Sequence, residues 1–483
     1  MIEIINPVLR SLLYSSLYYF ELLLFLVVIF FSVYYLYYFK KRIIKHIKYH
    51  KPTYIILFFL LIFSYTYNFH LLNSNFDRLD NSVMIQEQNE AYVYVLESYY
   101  LANNHKYPRG AYEEDAPFYP LVLSIFLPLL DNSPKFKINS LPSTLLGALD
   151  FIIPMDGLPR FSIIIGIFVL LTLFILTKMI WNNDIVSLLA VFIASIHPLF
   201  NLLFRHGYAT FFSVLFVNLI LIALFIYFYK RRLTDLVFLF ILVGIAPQIN
   251  FIEYLLFPLI LFLIILRFKK TMTGKLLIKH IIIGVASFSL VILPFVFLQL
   301  FLPANFGGEI QYPIPVWEYA DPENKHLYQE EFKGFDERNP EPIFFCWLSK
   351  WHCRQFSFHN IFYKKYAEGF PQVNYFSGGI LKYIAYIALG IERPYPTDTD
   401  MLDFNIITII HLLLFIIFIF GLITLFKTNR FVAIVFLLTF ILFFLAYTPD
   451  FGAKKVWLAN AIFNGMIPVI ASFFKWVKFS IIS

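Results

Sequence analysis

Apolar runs of about twenty residues recur from one end of this chain to the other, and that pattern leaves little choice of fold. A hydrocarbon core about 30 Å thick is crossed by about 20 helical residues. Inside it every backbone N–H and C=O must be satisfied within the protein, which favours helices. Runs of suitable length fall at 17–39, 53–72, 160–180, 185–204, 208–229, 280–302, 403–426, 431–447 and 457–475. The run from Leu233 to Leu266 is too long for one unbroken helix, and Pro247, Gln248, Asn250 and Glu253 interrupt it midway. It reads as two short spans joined by a polar turn. Composition agrees: 60% hydrophobic and 20% aromatic residues over 483 positions exceed what a soluble domain buries. The expected fold class is an all-α polytopic membrane protein with about 11 transmembrane helices.

Basic residues set the orientation, because loops on the cytoplasmic side collect Lys and Arg. Lys40, Lys41, Arg42, Lys45, Lys48 and Lys51 fill the first short loop. Lys230, Arg231 and Arg232 form a second group, Arg267, Lys269, Lys270, Lys275 and Lys279 a third, and Lys427 and Arg430 a fourth. All four fall on one side of the span count, with the N-terminus outside and Lys475 and Lys478 inside. The opposite side then carries two long extracytoplasmic segments, 73–159 and 303–402, both with interfacial or re-entrant helices. The net charge of +7 reflects this anchoring and attraction to anionic lipid. No basic cluster with stacking aromatics points to nucleic acid as a partner. The first apolar segment lacks a small-residue cleavage pattern and reads as a retained helix.

The first outer segment concentrates the acids. It reads NEAYVYVLESYYLANNHKYPRGAYEEDAPFYP over residues 89–120, placing Glu90, Glu113, Glu114 and Asp115 at one membrane surface. An amphipathic helix is expected over 89–102, with Tyr92, Leu96, Tyr99 and Tyr100 turned to the bilayer. A turn follows at Tyr107-Pro108-Arg109-Gly110. The apolar run 121–130 is too short to cross and is expected to be re-entrant or interfacial. In the second outer segment Cys346 and Cys353 lie close in sequence. A disulfide, two free thiols, and half a metal site with His352 all remain open there.

Asn89-Glu90-Ala91-Tyr92, then Pro117-Phe118-Tyr119-Pro120 opening a short apolar helix, then Pro159-Arg160-Phe161 opening a long span, together resemble the GT-C superfamily of membrane glycosyltransferases. The likeness is to the branch of protein O-mannosyltransferases and lipid A aminoarabinose transferases. That branch carries an Asp-Glu pair followed by an aromatic, and a Pro-Leu-Tyr-Pro-like start to its short helix. The resemblance continues through a pair of spans ending in His197-Pro198 and, a few residues on, Arg205, and it covers about residues 73–230. Asn89 stands where the family has Asp, so the acid falls on Glu90. Ala209 and Thr210 stand where the oligosaccharyltransferase branch has an acid pair.

The resemblance implies an inverting glycosyltransferase, mannosyltransferase-like, in the plasma membrane of a prokaryote, with its active site on the extracytoplasmic side. Its donor would be a polyprenyl-phosphate sugar and its acceptor an extracytoplasmic protein hydroxyl, glycan or lipid. The donor is already activated, so one carboxylate to deprotonate the acceptor suffices, with cations or a divalent metal, Mg or Mn, on the departing phosphate. Glu90 takes the role of base, or else stabilises a helix N-terminus. Asp115 is its partner, and the two are the ligands if a metal binds. Arg205 takes the donor phosphate or snorkels to headgroups, and Lys106 and Arg109 bind phosphate or pair with the acids. Glu113, Glu114, Asn89 and Tyr92 complete the candidates. Gln248, Asn250 and Glu253 line a cavity and contact donor, or cap their turn. Lys454 and Lys455, on the outer side, fit lipid phosphate or a headgroup equally.

The expected organisation is an extra N-terminal transmembrane helix with its basic loop at 1–52, and a transmembrane catalytic module at 53–302 that includes the outer loop 73–159. The outer loop 303–402 and the C-terminal transmembrane helices at 403–483 follow. Two other classes compete: a transporter or lipid flippase, and a non-catalytic membrane subunit that keeps the spans without the acids.

Overall fold

A computed structural model describes residues 7–76, 89–107, 118–130, 157–197, 200, 209–301, 406–446 and 459–482. Among the described residues there is no strand. The elements in chain order are α1 (Pro7–Tyr49), α2 (Lys51–Phe76), α3 (Asn89–Asn104), α4 (Phe118–Leu130), α5 (Gly157–Trp181), α6 (Asp184–Ile196) and α7 (Ala209–Lys230). There follow α8 (Leu233–Ile245), α9 (Leu256–Phe268), α10 (Gly274–Phe301), α11 (Ile406–Thr428), α12 (Arg430–Ala446) and α13 (Ile467–Ile482).

Four described helices are long and apolar enough to cross a membrane: Tyr14–Lys41, Arg160–Trp181, Phe211–Lys230 and Gly274–Pro294. Shorter apolar helices, among them Phe118–Leu130, Asp184–Ile196, Leu233–Gln248 and Asn460–Phe474, accompany them. The described residues are therefore all-helical apart from turns, and of the polytopic membrane type. α7 sits at the centre, hydrophobic on every face and nearly all buried, as a helix surrounded by others must be. α1 lies at the rim and leaves large apolar groups such as Phe30 and Tyr37 exposed, the pattern of a lipid-facing surface.

The long run at 233–266 breaks where its polar residues stand. α8 ends at Ile245, short 3₁₀ turns occupy Ala246–Gln248 and Phe251–Leu255, and α9 starts at Leu256. Proline supplies no N–H for the helix ladder, so the break falls at Pro247. One difference from the expected spans has the same kind of cause. The helix expected over 185–204 stops at Ile196, because His197, preceding Pro198, turns to extended backbone with φ −66° and ψ 131°.

Ring contacts and polar contacts gather the basic loops at one end. The Arg267 guanidinium lies 5.1 Å over Phe431, that of Arg231 5.3 Å over Phe268, and that of Arg232 4.9 Å over Tyr38. The N-terminal helix docks there too: Tyr35 Oη donates to Asp235 at 2.5 Å, and Phe31 stacks on Phe238 at 4.7 Å. The first helix is thus packed on the bundle.

Close helix approach depends on a missing side chain at Gly421. A Cβ there would stand 2.6 Å from the Val469 carbonyl oxygen, where α11 crosses α13. Small residues let apolar helices approach when no water-driven force separates them from lipid. Gly421→Ala is expected to cost about 1–3 kcal/mol by overpacking, seen as a lowered unfolding midpoint in detergent.

Candidate active site

Between α2 and α5 the described residues form two short helices that pack on each other. α3 and α4 are joined at Ser98, whose Oγ donates to the Pro120 carbonyl at 3.0 Å and also lies 2.5 Å from the Tyr94 carbonyl. Tyr94 meets Tyr119 edge to face at 5.1 Å. Tyr119 then packs 5.7 Å from Phe212 and 6.2 Å from Phe161, while Phe118 lies 6.4 Å from Phe212. Phe161 opens the span after Pro159-Arg160, and Phe212 lies in the first turn of α7. The three stretches that carry the sequence motifs therefore meet at one corner, at the end away from the basic loops.

α4 is 13 residues long and largely buried. At about 1.5 Å per residue it covers about 20 Å, too little to cross. α3 differs from the expected surface helix. Tyr99 and Tyr100, expected to face the bilayer, are buried in protein, as are Tyr94, Val95 and Leu101. Tertiary packing covers the helix on more than the one stripe its amphipathicity suggested.

The structure places the predicted site residues as follows. Asn89, Glu90 and Tyr92 stand in the first turn of α3. Lys106 lies just past the end of that helix, half-buried, after His105 has turned the chain at φ 52°. Arg109, Glu113, Glu114, Asp115 and Arg205 lie outside the described residues, as do Cys346, Cys353, Lys454 and Lys455.

Sequence reasoning passed over two further acids. Glu97 is 2% exposed and Glu21, on α1, is 0% exposed. Positions 90, 94, 97 and 101 share one stripe of α3 by the 3.6-residue period, so Glu97 repeats the Glu90 register two turns on. Both buried acids approach Tyr107: burial first, then the Glu21 and Glu97 carboxyls, push its phenol well above its ordinary value. The Tyr107 N–H reaches the Tyr14 carbonyl at 3.5 Å, closing the loop end onto α1. The spacing of 90 and 97 was the available signal for Glu97. Glu21 had none, since only folding brings α1 beside α3.

The polar turn between α8 and α9 forms a second buried cluster. Glu253 is 0% exposed, and its carboxyl accepts from Ser213 of α7. Asn460 Nδ2 donates to Ser213 Oγ at 2.6 Å and to Glu253 Oε1 at 3.4 Å. One turn on, Asn464 Nδ2 donates to Asn218 Oδ1 at 2.9 Å and to the Val214 carbonyl at 3.2 Å. Both asparagines stand on a π-helical stretch, Asn460–Met466, that leads into α13. Gln248 Nε2 donates to the Gly244 and Val291 carbonyls at 3.2 and 3.3 Å, tying the break to α10. Glu253 Oε2 and the side-chain carbonyls of Asn460 and Asn464 have no hydrogen-bond partner among the described residues. Phe200, Phe211 and Phe463 pack beside this cluster, with Phe200 5.1 Å from Phe211 and 5.7 Å from Phe463.

The candidate metal ligands Glu90 and Asp115 give no described ligand set. Among the described residues one group of metal-capable side chains comes together, His46, His50 and Asp184, and it stands among the basic loops at the opposite end.

No family model matches this chain, and no curated protein matches it. Among solved structures, it is similar to the archaeal oligosaccharyltransferase AglB from Archaeoglobus fulgidus, in complex with an inhibitory peptide and a dolichol-phosphate. The TM-score is 0.43 at 17% identity, over 82% of this chain and 46% of that one. This chain thus spans less than half the length of that protein, and at such a score the likeness bears on neither family nor activity.

Proposed function

We propose that this protein is a GT-C-type membrane glycosyltransferase that moves a sugar from a polyprenyl-phosphate carrier to an extracytoplasmic acceptor. The observation that carries the reading is the corner where α3, α4, the start of α5 and the first turn of α7 pack together through Tyr94, Ser98, Tyr119, Phe161 and Phe212. These are the stretches that bear the motifs resembling that superfamily. Tyr94, one turn past Glu90 in α3, and Phe212 of α7 both meet Tyr119 there, which supports the reading. Glu90 acts as general base on the acceptor hydroxyl, Asp115 supports it, and Arg205 neutralises the departing lipid phosphate, a role that Lys106 and Arg109 share. A divalent ion held by Glu90 and Asp115 would add charge stabilisation at that phosphate.

Sugar transfer from labelled polyprenyl-phosphate donors by the purified protein tests this. Arg205→Ala is expected to raise the donor KM by about 10–100-fold, the worth of about 1.5–3 kcal/mol for hydrogen bonds to a charged group. No transfer from any such donor by the wild type removes the proposal.

A second reading, a transporter or flippase, is favoured by one observation: the break between α8 and α9 holds a fully buried acid against a π-helical stretch. Interrupted helices of that kind carry ion and substrate sites in transporters. Flux of labelled lipid-linked sugar across vesicles without transfer would select it.

A further inference from the structure

At the basic end, away from the acids of the candidate active site, four helices assemble a donor set that glycosyl transfer leaves unused. His46, in the last turn of α1, and His50, just past it, stand four residues apart and so lie on one face. Their rings stack 4.1 Å apart at 8°. Asp184, in the first turn of α6, puts Oδ2 2.5 Å from His50 Nδ1. One ligand atom from each of the three lies within 4.8 Å of the other two. Two further groups hold this set from behind: Tyr54 Oη is 3.0 Å from His46 Nδ1, and Thr53 Oγ1 donates to Asp184 Oδ2 at 2.9 Å. Such contacts orient metal ligands from outside the coordination sphere.

We propose that His46, His50 and Asp184 bind a divalent transition-metal ion, zinc foremost, which clamps the turn between α1 and α2 to the turn between α5 and α6. Two imidazole nitrogens and a carboxylate oxygen, with a water in the fourth position, suit zinc, whereas magnesium and calcium call for oxygen ligands throughout. Ligand atoms about 2.0–2.2 Å from a tetrahedral ion stand about 3.4 Å from one another. The widest pair therefore closes by at most about 1.4 Å, while Asp184 Oδ2 and His50 Nδ1, now 2.5 Å apart, open by about 0.9 Å. That closure takes one ring out of the stack, and the His50 side chain, 43% exposed, has room to rotate. Lys178 is the competitor, since its ammonium bonds to Asp184 Oδ1. The ion takes the other carboxylate oxygen, and like-charge repulsion from Lys178 weakens its hold. Metal binding also releases any proton carried by the two rings, so affinity falls in acid.

The test uses the full chain in detergent, purified on a tag without histidines, stripped with a chelator and titrated with Zn²⁺ and Co²⁺. Wild type is expected to retain about one zinc per chain with a raised unfolding midpoint, and to give visible Co²⁺ absorption of a nitrogen- and oxygen-ligated ion. His46→Ala/His50→Ala abolishes both, and Tyr54→Phe weakens affinity by about 10–100-fold. Lys178→Met tightens binding, a direction that loss of folding cannot mimic. His50→Ala alone, at a half-exposed position, serves where the double variant elutes aggregated. Equal zinc retention by wild type and a well-folded histidine variant overturns the proposal, as does affinity unmoved by both Asp184→Asn and Lys178→Met.

Discussion

Replacing Glu90 by Gln is expected to lower sugar transfer from a polyprenyl-phosphate donor by about 10²–10⁴-fold, the usual contribution of a positioned general base. The substitution keeps the shape of the side chain and removes only its capacity to accept a proton. Since the donor arrives activated, the acceptor's proton is the one the protein must take, and kcat bears the loss while the donor KM holds. Glu97→Gln separates this role from its neighbour's. Glu97 repeats the stripe of Glu90 but is already enclosed at 2% exposure beside Tyr107. Its loss should disturb the fit of α3 on α1 and move the unfolding midpoint more than kcat. Equal transfer by wild type and Glu90→Gln removes that glutamate from the mechanism. Full loss in Glu97→Gln with Glu90→Gln active moves the base two turns along the same helix.

The second large effect is expected at the buried knot of Ser213, Glu253 and Asn460. Ser213→Ala with Asn460→Leu takes away both described partners of the Glu253 carboxyl, and no cationic side chain among the described residues pairs with it. An acid enclosed at 0% exposure cannot turn to water for replacements. The double variant should lose about 2–4 kcal/mol of stability, from two hydrogen bonds to a group that then stays buried and unsatisfied. Replacing Glu253 by Leu in the same background should recover part of the loss, because the orphaned polar group goes with it. Thermal unfolding in detergent reads all three. A double variant as stable as wild type would mean that water or lipid headgroup reaches Glu253 and that the knot does not hold α7, α13 and the helix break together.

Acid should loosen the other end of the molecule first. At Asp184 burial pushes the carboxyl up, but hydrogen bonds from Lys178 and Thr53, the Lys178 charge and the His50 contact together outweigh it and leave the group below its ordinary value. Its stabilising contribution is therefore present above the ordinary carboxylate range and is lost as pH falls through the lowered value. At His46 burial, then Lys178 and His50, depress the imidazole against the pull of Asp184. Its protonation likewise opposes the fold, so its contribution is fully present above about pH 6.5 and is lost as pH falls through the depressed value. Both signs agree, so stability should fall with acid, and Asp184→Asn should flatten the part below about pH 4. An unchanged acid limb in that variant would place the sensitivity elsewhere.

Much of the architecture was legible because the bilayer imposes it. The spans around α1, α5, α7 and α10 announce themselves as long apolar runs, and the interruption of 233–266 was readable from Pro247 and the polar residues after it. The short α4 was readable from its length, and the grouping of basic loops from their charges alone. The candidate site was legible only in part. Asn89-Glu90 and the proline-flanked start of α4 marked two stretches whose helices pack on each other, yet nothing in the letters shows that Phe212 of α7 closes over Tyr119. The bilayer-facing role expected for Tyr99 and Tyr100 failed for the same reason, because amphipathicity identifies an apolar face without saying whether lipid or protein covers it.

What the sequence determined by itself was governed by spacing and local chemistry: helix in preference to strand, the break at Pro247, and which loops carry positive charge. What only the tertiary structure decided was company. Glu21 beside Tyr107, Glu253 beside Ser213 and Asn460, and His50 beside Asp184 join residues far apart in the chain. A polar side chain inside an apolar bundle must find a partner on another helix, and its identity follows from how the helices pack rather than from the order in which they are joined.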